Sequence, residues 1–314
     1  MRNRVLILIA AALLSGCAKN VIDPMWAISF APVAEKASKS IIEGAVYPTS
    51  ESFTVSAYFE GTSPYFENLS ASYSSSIALW ETSSDEYWPL EGSLTFNAYS
   101  PSSASGISID SDGISATDYT VRTTEQMTTD LCYASATVND CSNHPDAVPL
   151  VFSHALSQVV FRVKAAAYYD NVSISLNSLS MGGIYSVGDF TSGSWENQNS
   201  EHNYTLAGTP VDLTYDASHN PETSTVCSYL FIPQSFSANA AIVVGYSITQ
   251  TVSGDDYTFE NAPVTIPLGG NVTQWESGKK YIYTINIGLN NLITISASAV
   301  GWTDENFEII VEES

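Results

Sequence analysis

The chain has 314 residues, of which 33 are acidic and 10 are basic, and its formal net charge is -23. Electrostatic binding of nucleic acid needs a basic face that neutralises phosphates, so this balance excludes nucleic acid as a partner. The hydrophobic share of 44% is enough for packed cores, and the acidity therefore does not indicate disorder. Only 14% of the residues are charged, below the ~25% of an average soluble protein, which suits an extracellular surface.

Residues 1–16 have the parts of a secretory signal peptide. Arg2 and Arg4 form a basic region, and residues 5–14 form an apolar run that is too short for an ordinary transmembrane helix. The run ends in Leu-Ser-Gly before Cys17, which resembles the lipobox of bacterial lipoproteins and implies that Cys17 carries a lipid. The alternative is an ordinary signal peptide followed by a chance cysteine. No second long apolar run follows, so a lipid is the only membrane attachment that the sequence offers.

Apolar and polar residues alternate with a period of two along most of the chain, and each run is bounded by Gly, Pro, Asn or Ser clusters. This pattern predicts half-buried strands. The clearest examples are residues 53–59, 94–98, 159–163, 172–176 and 281–289. Helical periodicity is nearly absent, and the best short candidates are residues 123–131 and 152–158. An all-β chain of this length fits two sandwiches.

A boundary between two domains is expected near residue 150. The polar stretch 139–146 precedes it, and the alternation restarts at Val159. The predicted organisation is a signal peptide at 1–16, a linker or pro-segment at 17–39, and β-domains at 40–150 and 151–314.

Cys132 and Cys141 lie in a polar stretch where a disulfide could close a short loop in an oxidising compartment, and free thiols are the alternative. Cys227 lies in an apolar alternation and is interpreted as a buried small residue. No CxxC or HExxH spacing occurs, so the sequence predicts no metal site, and His154 is interpreted as a core or interdomain histidine.

The sequence predicts neither an enzyme nor a cofactor. Paired carboxylates occur at Asp110 and Asp112 and at Asp255 and Asp256, but both pairs lie among turn-forming residues and are interpreted as solvated loop tips. No GxSxG, Walker or GxGxxG motif is present.

A series of short fragments occurs in one order along nearly the whole chain. The fragments are ISFAP at 28–32, YWPLEGSLTFNAYSP at 87–101, VPLVFSHALSQVVFRVKA at 148–165, FIPQ at 231–234, WESGKKYIYTINI at 275–287 and VGW at 300–302. Together with the lipobox, this series resembles the fimbrillin-like lipoproteins of Bacteroidales, the subunits of type V pili. The resemblance implies two transthyretin-like β-sandwich domains in tandem after a lipoprotein signal peptide.

The same resemblance implies a structural and adhesive subunit of a surface pilus, or fimbrium, made as a lipid-anchored protein of the outer membrane. In that family a trypsin-like protease removes an N-terminal strand, and a donor strand of another subunit replaces it. The implied partners are other pilin subunits, the outer membrane and a surface receptor that the sequence does not identify. Lys39, or Lys36, stands where the family usually has arginine, and a linker lysine without a role is the alternative.

The C-terminal residues Phe307, Ile309 and Val311 alternate with Glu308, Ile310 and Glu312, which is the pattern that a donor strand needs. The alternative is that they form the last strand of the second domain.

A different class of function is a monomeric surface lipoprotein that binds glycan on a sandwich face. Aromatic rings stack on sugars, and the chain has many of them. Tyr65, Tyr73 and Tyr119 lie in polar stretches and are the rings expected to be exposed.

Overall fold

The computed structural model describes residues 22–34, 45–121, 129–290 and 292–302. These residues form 25 strands and one turn of 3-10 helix at Cys141–Asn143. The predicted all-β class is therefore confirmed. Within the described ranges, no helix has the length and apolar character needed to cross a membrane.

The strands up to residue 154 are mostly short. They are β1 (Ile22–Ala27), β2 (Ser29–Phe30), β3 (Val33–Ala34), β4 (Ala45–Val46), β5 (Phe53–Phe59), β6 (Ser63–Ser74), β7 (Leu79–Thr82), β8 (Tyr87–Pro89), β9 (Leu94–Ser100), β10 (Ser108–Asp110), β11 (Gly113–Thr120), β12 (Cys132–Val138) and β13 (Val151–His154).

The strands after residue 154 include longer elements. They are β14 (Ser157–Ala165), β15 (Val172–Thr191), β16 (Ser194–Ala207), β17 (Val211–Asp212), β18 (Ser224–Phe231), β19 (Gln234–Ser235), β20 (Ala241–Val252), β21 (Asp255–Glu260), β22 (Val264–Pro267), β23 (Gln274–Trp275), β24 (Lys279–Ile287) and β25 (Ile293–Gly301).

The N-terminal sheet has nine strands in the order β2-β7-β6-β5-β9-β12-β13-β3-β4. Strands β2 and β3 lie near opposite ends of this order, although they follow each other in the chain. The sheet therefore closes on itself through its own N-terminal residues. It encloses an aromatic core that includes Phe30, Phe53, Phe96 and Phe152.

The C-terminal half is built from two facing sheets. A four-stranded sheet has the order β18-β14-β24-β25, and its two central strands are parallel. An eight-stranded sheet follows the path β10-β11-β15-β20-β21, with β16, β17 and β22 beside it. Alternate residues of β14 and β24, among them Phe161 and Tyr283, enter the core between the sheets. The predicted strands at 159–163 and 281–289 are thus confirmed in position, with β24 ending at Ile287.

The two halves meet where β10, β11 and the far end of β15 lie over the outer face of β5 and β9. Tyr99, Ile114 and Phe190 form one buried cluster there. The amide of Asn97 is buried and donates to the Asp110 carbonyl at 2.8 Å. Strands β10 and β11 precede residue 150 but pair with the sheet of β15, so a boundary near 150 stays a prediction.

The helix predicted at 152–158 is wrong, because these residues form β13, a bend and the start of β14. Ala155 and Leu156 at the bend are both fully buried, and this corner produces the apolar spacing that was interpreted as helical. Most of the other candidate, 123–131, lies outside the described residues, and residues 129–131 are not helical.

Of the two alternatives for Cys132 and Cys141, the structure has free thiols rather than a disulfide. Cys132 is the first residue of β12, and Cys141 begins the 3-10 turn shortly after that strand ends at Val138. A strand rises about 3.3 Å per residue, so its two ends lie roughly 20 Å apart, whereas a disulfide needs Cα atoms within about 7 Å.

Candidate functional site: the closing segment and its groove

The segment that closes the N-terminal sheet consists of residues 28–33 and is called the closing segment below. Its side chains at Ile28, Phe30 and Pro32 are buried, as expected when alternate residues of an extended chain face one side. Ser29 is also buried, and its hydroxyl donates to the Asp146 carbonyl at 2.7 Å. The closing segment therefore behaves as an integral strand of the core.

The largest side chain of the closing segment, Phe30, fills the centre of the N-terminal core and is fully buried. Its ring meets those of Phe53 and Phe96 edge to face, with centroid distances of 5.7 Å and 5.6 Å. Such geometry is favourable for aromatic pairs and adds to the gain from burial. Loss of Phe30 would leave an apolar cavity in the middle of the sheet.

Backbone hydrogen bonds attach the closing segment along both of its edges. On one side, the amides of Ala31 and Val33 donate to the carbonyls of Val148 and Leu150 at 2.9 Å and 2.8 Å. The amide of Val148 donates in return to the carbonyl of Ser29 at 2.8 Å. On the other side, β2 pairs antiparallel with β7. Removal of the closing segment would thus uncover two strand edges and the apolar groove between them.

The floor of this groove includes Tyr47, which follows the closing segment in the chain and contacts Trp80, Phe53 and Phe152. Its hydroxyl lies 2.6 Å from that of Ser100, and either group can donate. Burial raises the pKa of Tyr47 to about 12. Tyr47 therefore belongs to the part of the core that stays if the closing segment leaves.

Upstream of the closing segment, β1 pairs with β8 rather than with the nine-stranded sheet. Trp26 is 45% exposed and stacks on His144 with a centroid distance of 5.6 Å. Strand β1 therefore lies at the surface of the protein, whereas the closing segment enters the core.

The structure does not describe several residues predicted from the sequence. Cys17, Lys36, Lys39 and the candidate donor strand at Phe307, Ile309 and Val311 lie outside the described residues. Lipid attachment, processing and strand donation therefore stay predictions. Of the flanking residues, Ala34 and Ala45 pair directly on β3 and β4, so the chain leaves and re-enters the sheet at the same edge.

A second group of side chains lies apart from the groove, at the ends of β12 and β13. The Nδ1 atom of His154 is 2.9 Å from a carboxylate oxygen of Asp130 and 3.4 Å from the sulfur of Cys132. The His154 ring also stacks on Trp302 with a centroid distance of 4.1 Å. Burial, together with the negative charge of Asp130, raises the pKa of the Cys132 thiol. Of the described residues, these are the ones grouped so that they could hold a metal ion.

The aromatic residues predicted to stack on sugars are half-buried and held by neighbours. Tyr73 lies against Trp80, and Tyr119 lies against Trp195. The Tyr65 hydroxyl donates to the Tyr87 carbonyl at 2.7 Å. These contacts do not favour a stacking platform for glycan.

The chain is similar to a known family in sequence and to several solved proteins in structure. A sequence model of a family described as fimbrillin-like matches residues 45–302. A fimbrial protein from Bacteroides vulgatus has a similar solved structure, with a TM-score of 0.60 at 17% identity, over 88% of this chain and 99% of that one. Proposed cell adhesion proteins from Bacteroides ovatus (17% identity, TM-score 0.51, 89% and 99%) and Parabacteroides distasonis (12%, 0.52, 88% and 97%) are also similar. No curated protein sequence matches the chain.

Proposed function

This chain belongs to the fimbrillin-like family, and on that premise we propose that it is the lipid-anchored precursor of a pilus subunit, activated by loss of its closing segment. The family is a structural and adhesive kind of protein rather than a kind of enzyme. One observation carries the proposal: residues 28–33 complete the N-terminal core and lie between the predicted lipid on Cys17 and the predicted cleavage site at Lys39.

Cleavage after Lys39 would leave the closing segment attached to the rest of the subunit by non-covalent contacts alone. The pairing of Ala34 with Ala45 supports this route, because the intervening residues begin and end at one edge of the sheet. The family match begins at residue 45, downstream of both lysines. The matched region thus lies entirely within the chain that cleavage after Lys39 would leave.

A donor strand from another subunit would then take the place of the closing segment. The candidate residues Phe307, Ile309 and Val311 have the same spacing as Ile28, Phe30 and Pro32, so their side chains could enter the same pockets. Addition of a strand to two open edges supplies backbone hydrogen bonds, and alternate side chains supply selectivity. Before cleavage, the closing segment covers edges that would otherwise invite uncontrolled pairing.

The experiment compares processing and assembly in the wild type and in the double variant Lys36→Gln, Lys39→Gln. After treatment with trypsin, the wild type should give a polymer ladder on native gels and a new N-terminus at Ser40. The double variant should remain monomeric and should lack the new N-terminus at Ser40. Lys39→Arg is the matched control, and it should assemble like the wild type because trypsin accepts both residues.

Two outcomes would contradict the cleavage proposal: polymers whose subunits begin at Cys17, or equal assembly of the double variant. A separate chain that lacks residues 307–314 tests strand donation. It should be cleaved normally and stay folded, yet fail to extend a polymer. If it polymerises like the wild type, the C-terminal residues are not the donor.

A further inference from the structure

Three side chains at the junction of the two halves place different metal-binding atoms around one point. Asp130, Cys132 and His154 each offer one ligand atom, and these atoms all lie within 4.8 Å of one another. The three residues are outside the closing segment and its groove, and the pilus proposal makes no use of them.

The contacts converge on a single ring nitrogen, which argues against a catalytic relay. A Cys-His-Asp relay uses both nitrogens of the imidazole, one toward the nucleophile and one toward the carboxylate. Here Nδ1 faces both Cys132 and Asp130. That nitrogen carries at most one hydrogen and so can donate to only one of them at a time. A sulfur, a nitrogen and an oxygen that converge in this way suit one shared cation.

The fold holds these groups in place before any ion binds. Cys132 and His154 are directly opposite each other in the pairing of β12 with β13. Asp130 precedes Cys132 by two residues and contacts the same ring nitrogen, Nδ1 of His154. Between them, Leu131 is fully buried, and its carbonyl accepts a hydrogen bond from Ala155 at 2.7 Å. Trp302 covers the His154 ring in a nearly parallel stack, with an interplanar angle of 7°.

We infer that Asp130, Cys132 and His154 bind one divalent transition-metal ion, with zinc as the best match and water completing the coordination. Zinc accepts thiolate, imidazole and carboxylate ligands together and favours four-coordination. A thiolate and a carboxylate balance its two positive charges. On binding, the thiol proton passes to solvent, and the imidazole keeps its hydrogen on Nε2.

Exposure and overall charge both favour entry of the ion. The Asp130 and His154 side chains are 38% and 16% exposed, so the site is open on one side. The chain carries a net charge of -23, which raises the local concentration of cations. A bound ion would join the start of β12 to the bend between the two halves and orient the ring beneath Trp302.

Cobalt is a suitable probe because it replaces zinc and reports a thiolate ligand by its charge-transfer absorption. The full reduced chain should bind one equivalent of cobalt with this absorption, and added zinc should displace it. Cys132→Ser should abolish the absorption and weaken zinc binding by at least about 100-fold, since loss of a direct ligand costs more than loss of its support. Cys227→Ser, which removes a thiol from β18, is the matched control and should behave like the wild type.

Histidine and carboxylate variants make the test independent of the thiol. His154→Gln and Asp130→Asn should each weaken zinc binding at least tenfold, whereas His219→Gln should not. Zinc should raise the melting temperature of the wild type and of the controls Cys227→Ser and His219→Gln, but not of the ligand variants. Circular dichroism checks that each variant is folded. If Cys132→Ser does not fold, Asp130→Asn decides the question, because the Asp130 side chain is half-exposed. Equal zinc binding by the folded ligand variants, or a cobalt spectrum without the thiolate band, overturns the inference.

Discussion

The two cores of this protein differ in the origin of the residues that complete them. The C-terminal core lies between two sheets whose facing strands, β14 to β25, come from residues 157–301. The N-terminal core is complete only when residues 28–33 join residues that begin with Tyr47. The C-terminal core is therefore completed by residues close to it in sequence. The N-terminal core is completed by a segment upstream of a candidate cleavage site.

This difference shows how a single proteolytic event could change one half of a molecule and leave the other intact. Every side chain in the C-terminal core is downstream of Lys39, so cleavage there removes none of them. Cleavage and dissociation would remove Ile28 and Phe30, both almost completely buried, from the N-terminal core.

A chain that begins at Ser40 should lose structure selectively in the N-terminal half. Burial of Ile28 and Phe30 alone contributes about 3–6 kcal/mol, and the backbone bonds to Val148 and Leu150 are lost as well. Hydrogen exchange measured by mass spectrometry should show faster exchange in β7 and at residues 148–152. Strands β14 and β24 are the internal control and should stay protected. Unchanged exchange in β7 would contradict the asymmetry.

Phe30→Ala should cost about 3–5 kcal/mol of stability, because it leaves a cavity in an aromatic core. The exposed Phe259 is the matched control, and Phe259→Ala should change the free energy of unfolding by less than about 0.5 kcal/mol. Urea unfolding measures both values. Phe161→Ala removes a fully buried ring from the C-terminal core and so allows the two cores to be compared. Equal effects of Phe30→Ala and Phe259→Ala would show that the closing segment is not part of the stable core.

Tyr47→Phe should cost about 1 kcal/mol, since it removes the hydrogen bond with Ser100 but keeps the ring. Burial raises the pKa of Tyr47 to about 12, so the folded state favours the neutral phenol. Its contribution is fully present below the ordinary pKa of about 10 and is lost as the pH rises from about 10 to about 12. Urea unfolding across this range should show a smaller alkaline loss in Tyr47→Phe than in the wild type. An identical loss would assign the alkaline effect to other groups.

Glu276→Gln should have the smallest effect, below about 1 kcal/mol, because its ion pair with Lys279 is half-exposed. The hydrogen bond from Lys279 lowers the pKa of Glu276. The contribution is therefore present above the carboxyl's unfolded pKa of about 4.3 and is lost as the pH falls through its lower folded value. Thermal unfolding at low and high salt measures it. The difference should vanish at high salt, and a large effect that persists there would indicate a role in packing.

The period-two pattern was sufficient to predict strands wherever one face meets a core, as in β14 and β24. It failed to show how much of β5 is buried. The hydroxyl residues of that strand suggest a solvated face, yet Ser56 is fully buried and Tyr58 is 3% exposed. Strand β10, about fifty residues later in the chain, lies against β5, and the Tyr58 hydroxyl donates to the Ile109 carbonyl at 3.2 Å. Burial imposed by a distant element leaves no local periodicity.

Contacts with distant parts of the chain also limited what the sequence could predict about the two candidate sites. The fragment at 28–32 could be recognised as part of a series, but its closing role depends on pairing with residues 148–150. His154 looked like an isolated core histidine because its neighbours in sequence are apolar. The register that places it opposite Cys132 was not visible in any short spacing.

The closure of the N-terminal sheet also has a consequence for the order of folding. Ser29 bonds to Asp146, a residue 117 positions later, so this contact cannot form until nearly half of the chain has been made. Contacts between such distant residues form slowly because a long loop must close first. The C-terminal core has a similar requirement, because β14 pairs with β24 and so brings Gln158 opposite Lys280. We therefore expect the closing segment to be fully bonded only after residues 146–150 have been made, and the strand edges that it covers to be a risk for misassembly until then.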